Sequence, residues 1–225
     1  MITAFLNQKG GTGKTTLSYS FATALAMQGK TVLLVDVDPQ HGSMTWRAHR
    51  SDPAPFPVVG IPTDEPHKEI SAHKTHYEHI VIDAPPQASK AAGSIILAAD
   101  LILIPVQPSP HDIWSAADIV RLIENAAAFK QNYKTAFVVN RKISNTALGR
   151  DVFLALESYP FPVLPTAICQ RVAFAESAAL GLSVLESEPN GAAAKEILSM
   201  TRDALELING QEDCPRRRNS KPKSA

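Results

Sequence analysis

The sequence of 225 residues is poor in cysteine and has no long hydrophobic run. Cys169 and Cys214 are its two cysteines, and neither stands in a CxxC pair, so a disulfide framework and a zinc site are not indicated. No apolar stretch reaches the roughly 20 residues that cross a bilayer. The first residues form an apolar strand pattern and do not resemble a signal peptide, so we expect a cytoplasmic protein.

An excess of charge of either sign is also missing, since 22 basic residues balance 22 acidic ones. The balance hides an uneven distribution. Residues 211–225 carry five basic and two acidic side chains, a net charge of +3, whereas 17 basic and 20 acidic side chains leave −3 on the remaining chain. A basic tail suits contact with a polyanion, although a solvated chain end has the same composition. We expect one domain over 1–209 and a disordered basic tail over 210–225.

Short apolar runs alternate with helical patterns along the body of the chain, in which 44% of all residues are hydrophobic. Strands are predicted at 2–6, 31–35, 58–61, 79–82, 101–106, 135–139 and 162–164. Helices are predicted at 15–28, 43–50, 88–98, 112–130, 146–158, 172–180 and 192–208, and another begins near Thr63. This alternation predicts an α/β fold, in which a mostly parallel, twisted sheet is flanked by helices on both faces.

A glycine- and lysine-rich segment joins the first predicted strand to the first helix. It reads KGGTGKTT over 9–16. Gly10, Gly11 and Gly13 allow backbone N–H groups to close around a phosphate without Cβ clashes, and the start of the helix adds its dipole. The segment therefore predicts a P-loop NTPase.

The other residues of this loop have predicted roles at a triphosphate. Lys14 reaches the β- and γ-phosphates, the Thr15 hydroxyl ligates Mg²⁺, and Thr16 lies beside the α-phosphate. With Lys9 and Thr12 they complete the predicted nucleotide site, whose expected cofactors are ATP and Mg²⁺.

The loop departs from the general GxxxxGK[ST] pattern, because Gln8 occupies the place of the first glycine and Lys9 follows it. The form KGGxGK[ST][ST] resembles the ParA/MinD group of deviant Walker-A ATPases, and within it the short plasmid-type ParA proteins without an N-terminal helix-turn-helix. The resemblance covers most of residues 1–209. It implies that Lys9 reaches across an ATP-bound homodimer to the partner's nucleotide, where a cation offsets the charge of two facing triphosphates.

Aspartates follow two of the apolar strands, in DVDPQ at 36–40 and in IVIDAPP at 80–86. Ligands of open α/β sheets bind at the carboxyl ends of strands, so Asp36, Asp38 and Asp83 are expected at the edge that holds the phosphates. Asp36 and Asp38 share a strand face if the strand continues that far. A carboxylate after a buried strand is costly unless it is paired or near a metal, which makes Asp83 the candidate for a water-mediated Mg²⁺ contact.

The same segments match the family's switch I, DxDPQ, and switch II, hhhhDxP. By that resemblance Asp38 orients the attacking water and Asp36 supports Mg²⁺ through its water shell. The predicted catalytic residues are therefore Lys9, Lys14 and Asp38. A capped turn before the next helix is the alternative interpretation of the Asp-Pro pair.

Two later segments are candidates for contact with adenine. Asn140 and Arg141 follow a strand at the position where related ATPases hold the base. Residues 166–171 resemble the loop that closes the family's adenine site, but they read Ile-Cys-Gln-Arg where many relatives have Ile-Pro-Arg-Asn. Cys169 and Arg171 are the candidates there, and an ordinary surface loop is the alternative.

Two clusters elsewhere allow functional and structural interpretations. Residues 105–110 read PVQPSP, which predicts a stiff loop, and we expect it to lie with His111 and Asp112 at the ATP-dependent dimer face. An ordinary connection is the alternative. Histidines recur at 73, 76 and 79, as in a metal site, but the last of them begins a predicted strand, which favours a solvated surface.

The resemblance implies an ATPase with slow basal turnover that partitions plasmid or chromosomal DNA. It would be nucleoid-associated and stimulated by a DNA-bound partner, a ParB-like or centromere-binding protein, and higher-order assembly of the dimers stays open. In that family non-specific DNA binding uses basic residues near the C-terminal helices, here Lys195, Arg202 and 216–223.

Three other functions are alternatives to DNA partition. The same ATPase could position another cargo, such as a chemosensory cluster or a carboxysome. A P-loop metabolic ligase such as dethiobiotin synthetase is disfavoured by Lys9 and by DxDPQ. A MinD-like membrane switch needs a C-terminal amphipathic helix, and because the basic tail lacks large apolar residues, no membrane partner is expected.

Overall fold

A computed structural model describes residues 1–86, 90–126, 128–130, 132–144 and 146–210. The strands are β1 (Ile2–Phe5), β2 (Val32–Asp36), β3 (Val58–Gly60), β4 (His79–Asp83), β5 (Leu101–Val106) and β6 (Lys134–Val139). The helices are α1 (Lys14–Met27), α2 (Gly42–Ala48), α3 (Pro66–His73), α4 (Lys90–Ala98), α5 (Pro110–Ala126), α6 (Ala147–Leu156), α7 (Val172–Ala179), α8 (Val184–Ser187) and α9 (Ala192–Ile208). The predicted tail from 211 onward, and the first two residues of the helix predicted at 88–98, lie outside the described ranges.

The strands form a parallel sheet in the order β3-β2-β4-β1-β5-β6. Helices cover both faces, so the predicted α/β fold is confirmed. Because β1 lies between β4 and β5, the glycine-rich loop that follows it emerges in the middle of the carboxyl edge. Among the described residues, no helix is both long and apolar enough to span a membrane.

Alternation along each strand divides the core between the two faces of the sheet. In β4, Ile80 and Ile82 pack against helices α3 to α6, whereas Val81 packs in the core that contains α1, α8 and α9. Strands buried on both faces have to be hydrophobic at nearly every position, which explains the near-continuous apolar runs in the sequence.

The proline-rich segment differs from the stiff loop predicted over 105–110. Pro105 pairs with Val138 inside β5, and its carbonyl accepts a hydrogen bond from the Asn7 amide at 2.7 Å. Pro110 is the first residue of α5, a position where a helix tolerates a residue without an N–H. The connection is therefore limited to 107–109. The strand predicted at 162–164 is also reduced, to a single bridge between Val163 and Phe137.

Helix α8 was not expected from the sequence, although a signal for it is present. The Ser183 hydroxyl accepts the Leu185 N–H at 3.3 Å, and the Ser183 N–H donates to the Glu186 carboxylate at 2.9 Å. This capping box corresponds to the S-x-x-E spacing at 183–186. Both oxygens of Glu186 also accept from Arg50, so α8 holds the end of α2.

Candidate active site

The glycine-rich loop turns sharply between β1 and α1. Gly11 and Gly13 have φ angles of 76° and 94°, which favour glycine. A Cβ at position 13 would also collide with the side-chain amide of Asn140, which donates to the Thr12 carbonyl at 2.7 Å. The turn leads directly into the amino terminus of α1, where backbone N–H groups and the helix dipole favour an anion.

Lys14 lies almost fully buried at the start of α1. Its ammonium donates to the Lys9 carbonyl at 3.0 Å, so the side chain folds back over the loop. Burial lowers the pKa of Lys14, while the nearby charges of Asp83 and Asp38 act in the opposite direction. A desolvated cation beside two carboxylates fits a group that would hold phosphate oxygens.

Asp83 is fully buried at the end of β4, directly opposite Asp36 in β2. Its Oδ2 accepts a hydrogen bond from the Ser43 hydroxyl at 2.8 Å, whereas its Oδ1 has no hydrogen-bond partner among the described residues. Burial, and then the charge of Asp36, raise the pKa of Asp83 to about 7, against the opposing effect of the Ser43 and Thr15 hydroxyls. An orphaned carboxylate oxygen close to Thr15 fits a hydrated Mg²⁺.

Asp36 binds the backbone that follows it. Its Oδ1 accepts the Asp38 N–H at 3.1 Å and its Oδ2 accepts the Met44 N–H at 3.0 Å. The carboxylate thereby holds the DxDPQ segment and the start of α2 against the edge of the sheet. Burial raises the pKa of Asp36, against the effect of these N–H donors.

Asp38 lies outside β2, because the strand ends at Asp36. The two aspartates therefore do not share a strand face, and the chain turns at Asp38, whose carboxylate accepts the Gln40 N–H at 2.9 Å. Asp38 borders a cavity of about 270 Å³ that Pro85 and Pro86 close from the switch II side. A partly exposed carboxylate beside a cavity has room for a water molecule.

Lys9 is bound within its own chain. Its ammonium lies 2.6 Å from Oδ2 of Asp112, a buried residue in the first turn of α5. Its backbone N–H donates to the Asn7 side chain at 3.1 Å. The start of α5 is thus placed beside the phosphate loop. Sequence reasoning missed this ion pair, because no local pattern links residues 103 positions apart.

A second cavity, of about 340 Å³, opens beside Gly13 and Thr16. All four predicted base-pocket residues line it, namely Asn140, Arg141, Cys169 and Arg171. The Asn140 amide nitrogen is engaged by the loop, and the Arg171 guanidinium pairs with Glu196 of α9 at 2.6 Å. Arg141 is exposed at this cavity. Phe174, which was not among the residues predicted from the sequence, also lines the cavity and is partly buried.

The histidines at 73, 76 and 79 do not converge on a metal site. His73 packs against the Tyr77 ring at 6.3 Å, and His79 begins β4. Within the described part of the chain, no group of three or more histidine, cysteine, aspartate or glutamate side chains could hold an ion.

Comparison with known proteins gives a consistent result. Residues 3–184 match the family model of the CobQ/CobB/MinD/ParA nucleotide binding domain. Maintenance of carboxysome distribution protein A from Halothiobacillus neapolitanus is 31% identical over 207 residues, which cover 90% of this chain and 95% of that protein. Sporulation initiation inhibitor protein Soj from Bacillus subtilis is 24% identical, with 90% and 97% covered. The solved structure of the septum site-determining protein MinD from Pyrococcus horikoshii with Mg-ADP has a TM-score of 0.74 at 18% identity, with 93% and 97% covered.

Proposed function

The chain belongs to the CobQ/CobB/MinD/ParA nucleotide-binding family, and from that premise we propose that it is a ParA-type ATPase that dimerises on ATP and Mg²⁺ to position a cargo along DNA. The observation that carries the proposal is the convergence of Lys14, Thr15 and Asp83 at one edge of the sheet, with a second lysine, Lys9, in the same loop. The reaction is ATP + H₂O → ADP + phosphate. Residues 1–209 would form the ATPase domain, and 210–225 an accessory basic segment.

Each residue of the site has a role in this reaction. Mg²⁺, when bound, would neutralise charge on the β- and γ-phosphates. Thr15 would ligate it through its hydroxyl and Asp83 through a water molecule, while Asp36 keeps switch I in place. Lys14 would hold the phosphate oxygens, and Asp38 would orient the attacking water.

Slow basal turnover is part of the proposal. The Lys9 ammonium is held by Asp112 of its own chain, and stabilisation of the developing charge at each nucleotide would require the Lys9 of a second copy. Stimulation by a cargo-bound partner protein would then act on the assembled dimer.

DNA binding is proposed for the exposed side of α9. Lys195 and Arg202 are exposed and lie two helical turns apart, so they occupy the same face of the helix. Two of the three acidic residues on α9 are engaged within the chain, since Glu196 and Asp203 accept the backbone N–H groups of Cys169 and Thr166. The third, Glu206, is exposed one turn after Arg202, so the basic surface is limited to the stretch from Lys195 to Arg202. Phosphate contacts of this kind weaken steeply with salt.

Two cargoes fit the proposal. A plasmid or chromosome bound by a ParB-like protein would make the chain a nucleoid-associated partition ATPase. Its 26% identity with the chromosome-partitioning ATPase Soj from Thermus thermophilus supports this cargo. A carboxysome is the second candidate, because the relative at 31% identity is named for carboxysome distribution. A metabolic ligase stays the weaker alternative, and turnover stimulated by DNA rather than by a carboxylate substrate would exclude it.

Sedimentation velocity tests the switch directly. The protein should sediment as a dimer with Mg-ATP and as a monomer with ADP or without nucleotide, and a 60-base-pair DNA should co-sediment only in the first case. Lys14→Ala should stay monomeric in all three. A wild-type protein that stays monomeric with Mg-ATP at concentrations that saturate its nucleotide site would contradict the proposal.

A further inference from the structure

Asp112 is a buried, ion-paired carboxylate next to the phosphate loop, and it belongs neither to that loop nor to switch I or switch II. It is 4% exposed, and its Oδ1 has no hydrogen-bond partner among the described residues. Its N–H donates to the Ser109 carbonyl at 3.0 Å, which places it in the first turn of α5, where the helix dipole favours a negative charge. The carboxylate is therefore held at a defined position by its helix.

The pair with Lys9 is costly to break. Asp112 is withdrawn from water although Lys9 is partly exposed, and a buried carboxylate that loses its cation is destabilised. If Lys9 swung away to reach a second copy of the chain, Asp112 would be left without its cation and close to additional phosphate charge. We therefore expect the pair to persist when two copies meet.

The ammonium of Lys9 can serve two acceptors at once. It has three N–H donors in a flexible arrangement, and Asp112 Oδ2 takes one of them at 2.6 Å. The side chain of Lys9 remains 36% exposed, so its remaining donors are open to a group that approaches from outside.

The loop backbone around Lys9 is also fixed. Its N–H donates to Asn7 and its carbonyl accepts from Lys14, so only the lysine side chain would otherwise be free to sample rotamers. Ordering a long side chain during association lowers affinity. Because the ion pair with Asp112 already orders the Lys9 side chain in the single chain, this loss of affinity does not arise when the dimer forms.

We propose that Asp112 is the positioning residue for Lys9, holding its ammonium ready for the nucleotide of a second copy and remaining bound to it in the dimer. The inference rests on the proposed ATP-dependent dimer and adds to it a residue that acts through Lys9. Asp112 does not touch the nucleotide.

The test measures the dimer dissociation constant with Mg-ATPγS by sedimentation velocity. Asp112→Asn keeps the shape of the side chain and removes its charge, and it should weaken the dimer by about tenfold or more. The affinity of the monomer for a fluorescent ATP analogue should stay within about twofold of the wild type, since Lys14 and the loop backbone are unchanged. Asp118→Asn is the matched control, because Asp118 lies on the same helix in an exposed pair with Arg121.

A double-mutant cycle separates positioning from a general structural effect. In a Lys9→Ala background, Asp112→Asn should cause no further loss of dimer affinity, because Asp112 acts through Lys9. An equal loss in both backgrounds would overturn the proposal. An Asp112→Asn variant that dimerises as well as the wild type would also overturn it, because the pair would then be irrelevant to dimer formation. A variant that dimerises more tightly would show that the pair opposes dimer formation.

Wild-type protein provides a second measurement if Asp112→Asn does not fold. In a crystal structure of the ATP-bound dimer, Lys9 Nζ should remain within hydrogen-bond distance of Asp112 and also contact the facing nucleotide. A broken pair there contradicts the inference while leaving the proposed function intact. Failure of the wild type to dimerise at all would instead contradict the proposed function.

Discussion

Asp36 and Asp83 stand directly opposite each other at the ends of two neighbouring parallel strands, and both are fully buried. The two residues have different partners. Asp36 accepts two backbone N–H groups, whereas Asp83 accepts one hydroxyl and keeps one oxygen without a hydrogen-bond partner among the described residues. Burial and the charge of Asp36 raise the pKa of Asp83 to about 7. Two buried carboxylates thus face each other near the single ammonium of Lys14, and this arrangement has consequences for stability against pH and for nucleotide binding.

Stability without nucleotide should depend on the ionisation of Asp83. Its pKa in the folded protein lies above its value in the unfolded chain, so the folded state binds more protons between about pH 4 and pH 7 and loses stability as the pH rises through this window. Asp83→Asn should remove this loss, making the variant more stable than the wild type at pH 8 by on the order of a few kcal/mol. Urea unfolding at pH 5 and pH 8 measures the difference.

Asp118→Asn is the control for that comparison, since it removes an exposed carboxylate. Removal of an exposed, solvent-screened charge should change stability little. If the stability advantage of Asp83→Asn over the wild type did not grow from pH 5 to pH 8, the carboxyl of Asp83 would not be perturbed as described.

Nucleotide binding should depend on Lys14. Lys14→Ala removes the buried ammonium that folds over the loop. The charge-assisted contacts with phosphate that are lost are worth about 3 kcal/mol, which corresponds to roughly a 100-fold loss of ATP affinity. Calorimetric titration with Mg-ATP measures it. Lys30→Ala, which removes an exposed lysine paired with Glu78, should bind as the wild type does.

The loop should not tolerate a side chain at position 13. Gly13→Ala combines a positive φ with a collision against the Asn140 amide, so it should lose about 2 kcal/mol or more of stability together with nucleotide affinity. Gly29→Ala has the same backbone strain with open space around the new Cβ, and should cost only about 1 kcal/mol. Thermal unfolding of the two variants compares them, and equal losses would show that the contact with Asn140 is unimportant.

DNA affinity should depend on α9 and on the basic tail. The double variant Lys195→Ala, Arg202→Ala removes two exposed cations. Each phosphate contact contributes about 0.9 to the slope of log affinity against log salt, so the magnitude of this slope should fall by about 2.

Deletion of 211–225 should also weaken DNA binding. Fluorescence anisotropy with ATP at several salt concentrations measures both, and unchanged affinity at low salt would refute the corresponding contact. Arg121→Ala, on the other side of the fold, is the control.

Trp114 should report on dimer formation. It is 65% exposed on α5, two residues after Asp112, whereas Trp46 is 4% exposed and stacked on Tyr19. If a second copy covers the start of α5, Mg-ATP should shift the tryptophan emission to the blue, and ADP should not. Trp114→Phe should abolish the shift. An unchanged wild-type emission with Mg-ATP, or a shift that persists in Trp114→Phe and therefore arises at Trp46, would show that the start of α5 is not covered.

The local chemistry of the nucleotide loop could be predicted from contiguous residues. Gly11 and Gly13 determine where the backbone takes a positive φ. Residues 13–16 lie within one helical turn, so neighbouring residues alone define the loop that would hold the phosphates. Buried strands were also recognisable, because a sheet covered on both faces needs apolar residues at nearly every position. The predicted bounds of strands and helices are less accurate at prolines. The PVQPSP segment predicts a loop, but Pro105 lies in a strand and Pro110 begins a helix.

The fold class, the phosphate loop and the acidic strand ends could thus be predicted from the sequence, because each depends on residues close together in the chain. Three contacts became visible only in the folded molecule: Asp36 opposite Asp83, Asn140 against Gly13, and Lys9 paired with Asp112. These contacts depend on the order of strands in the sheet and on where α5 begins. Both are set by packing between distant segments, which leaves no periodic signal in the sequence around either partner.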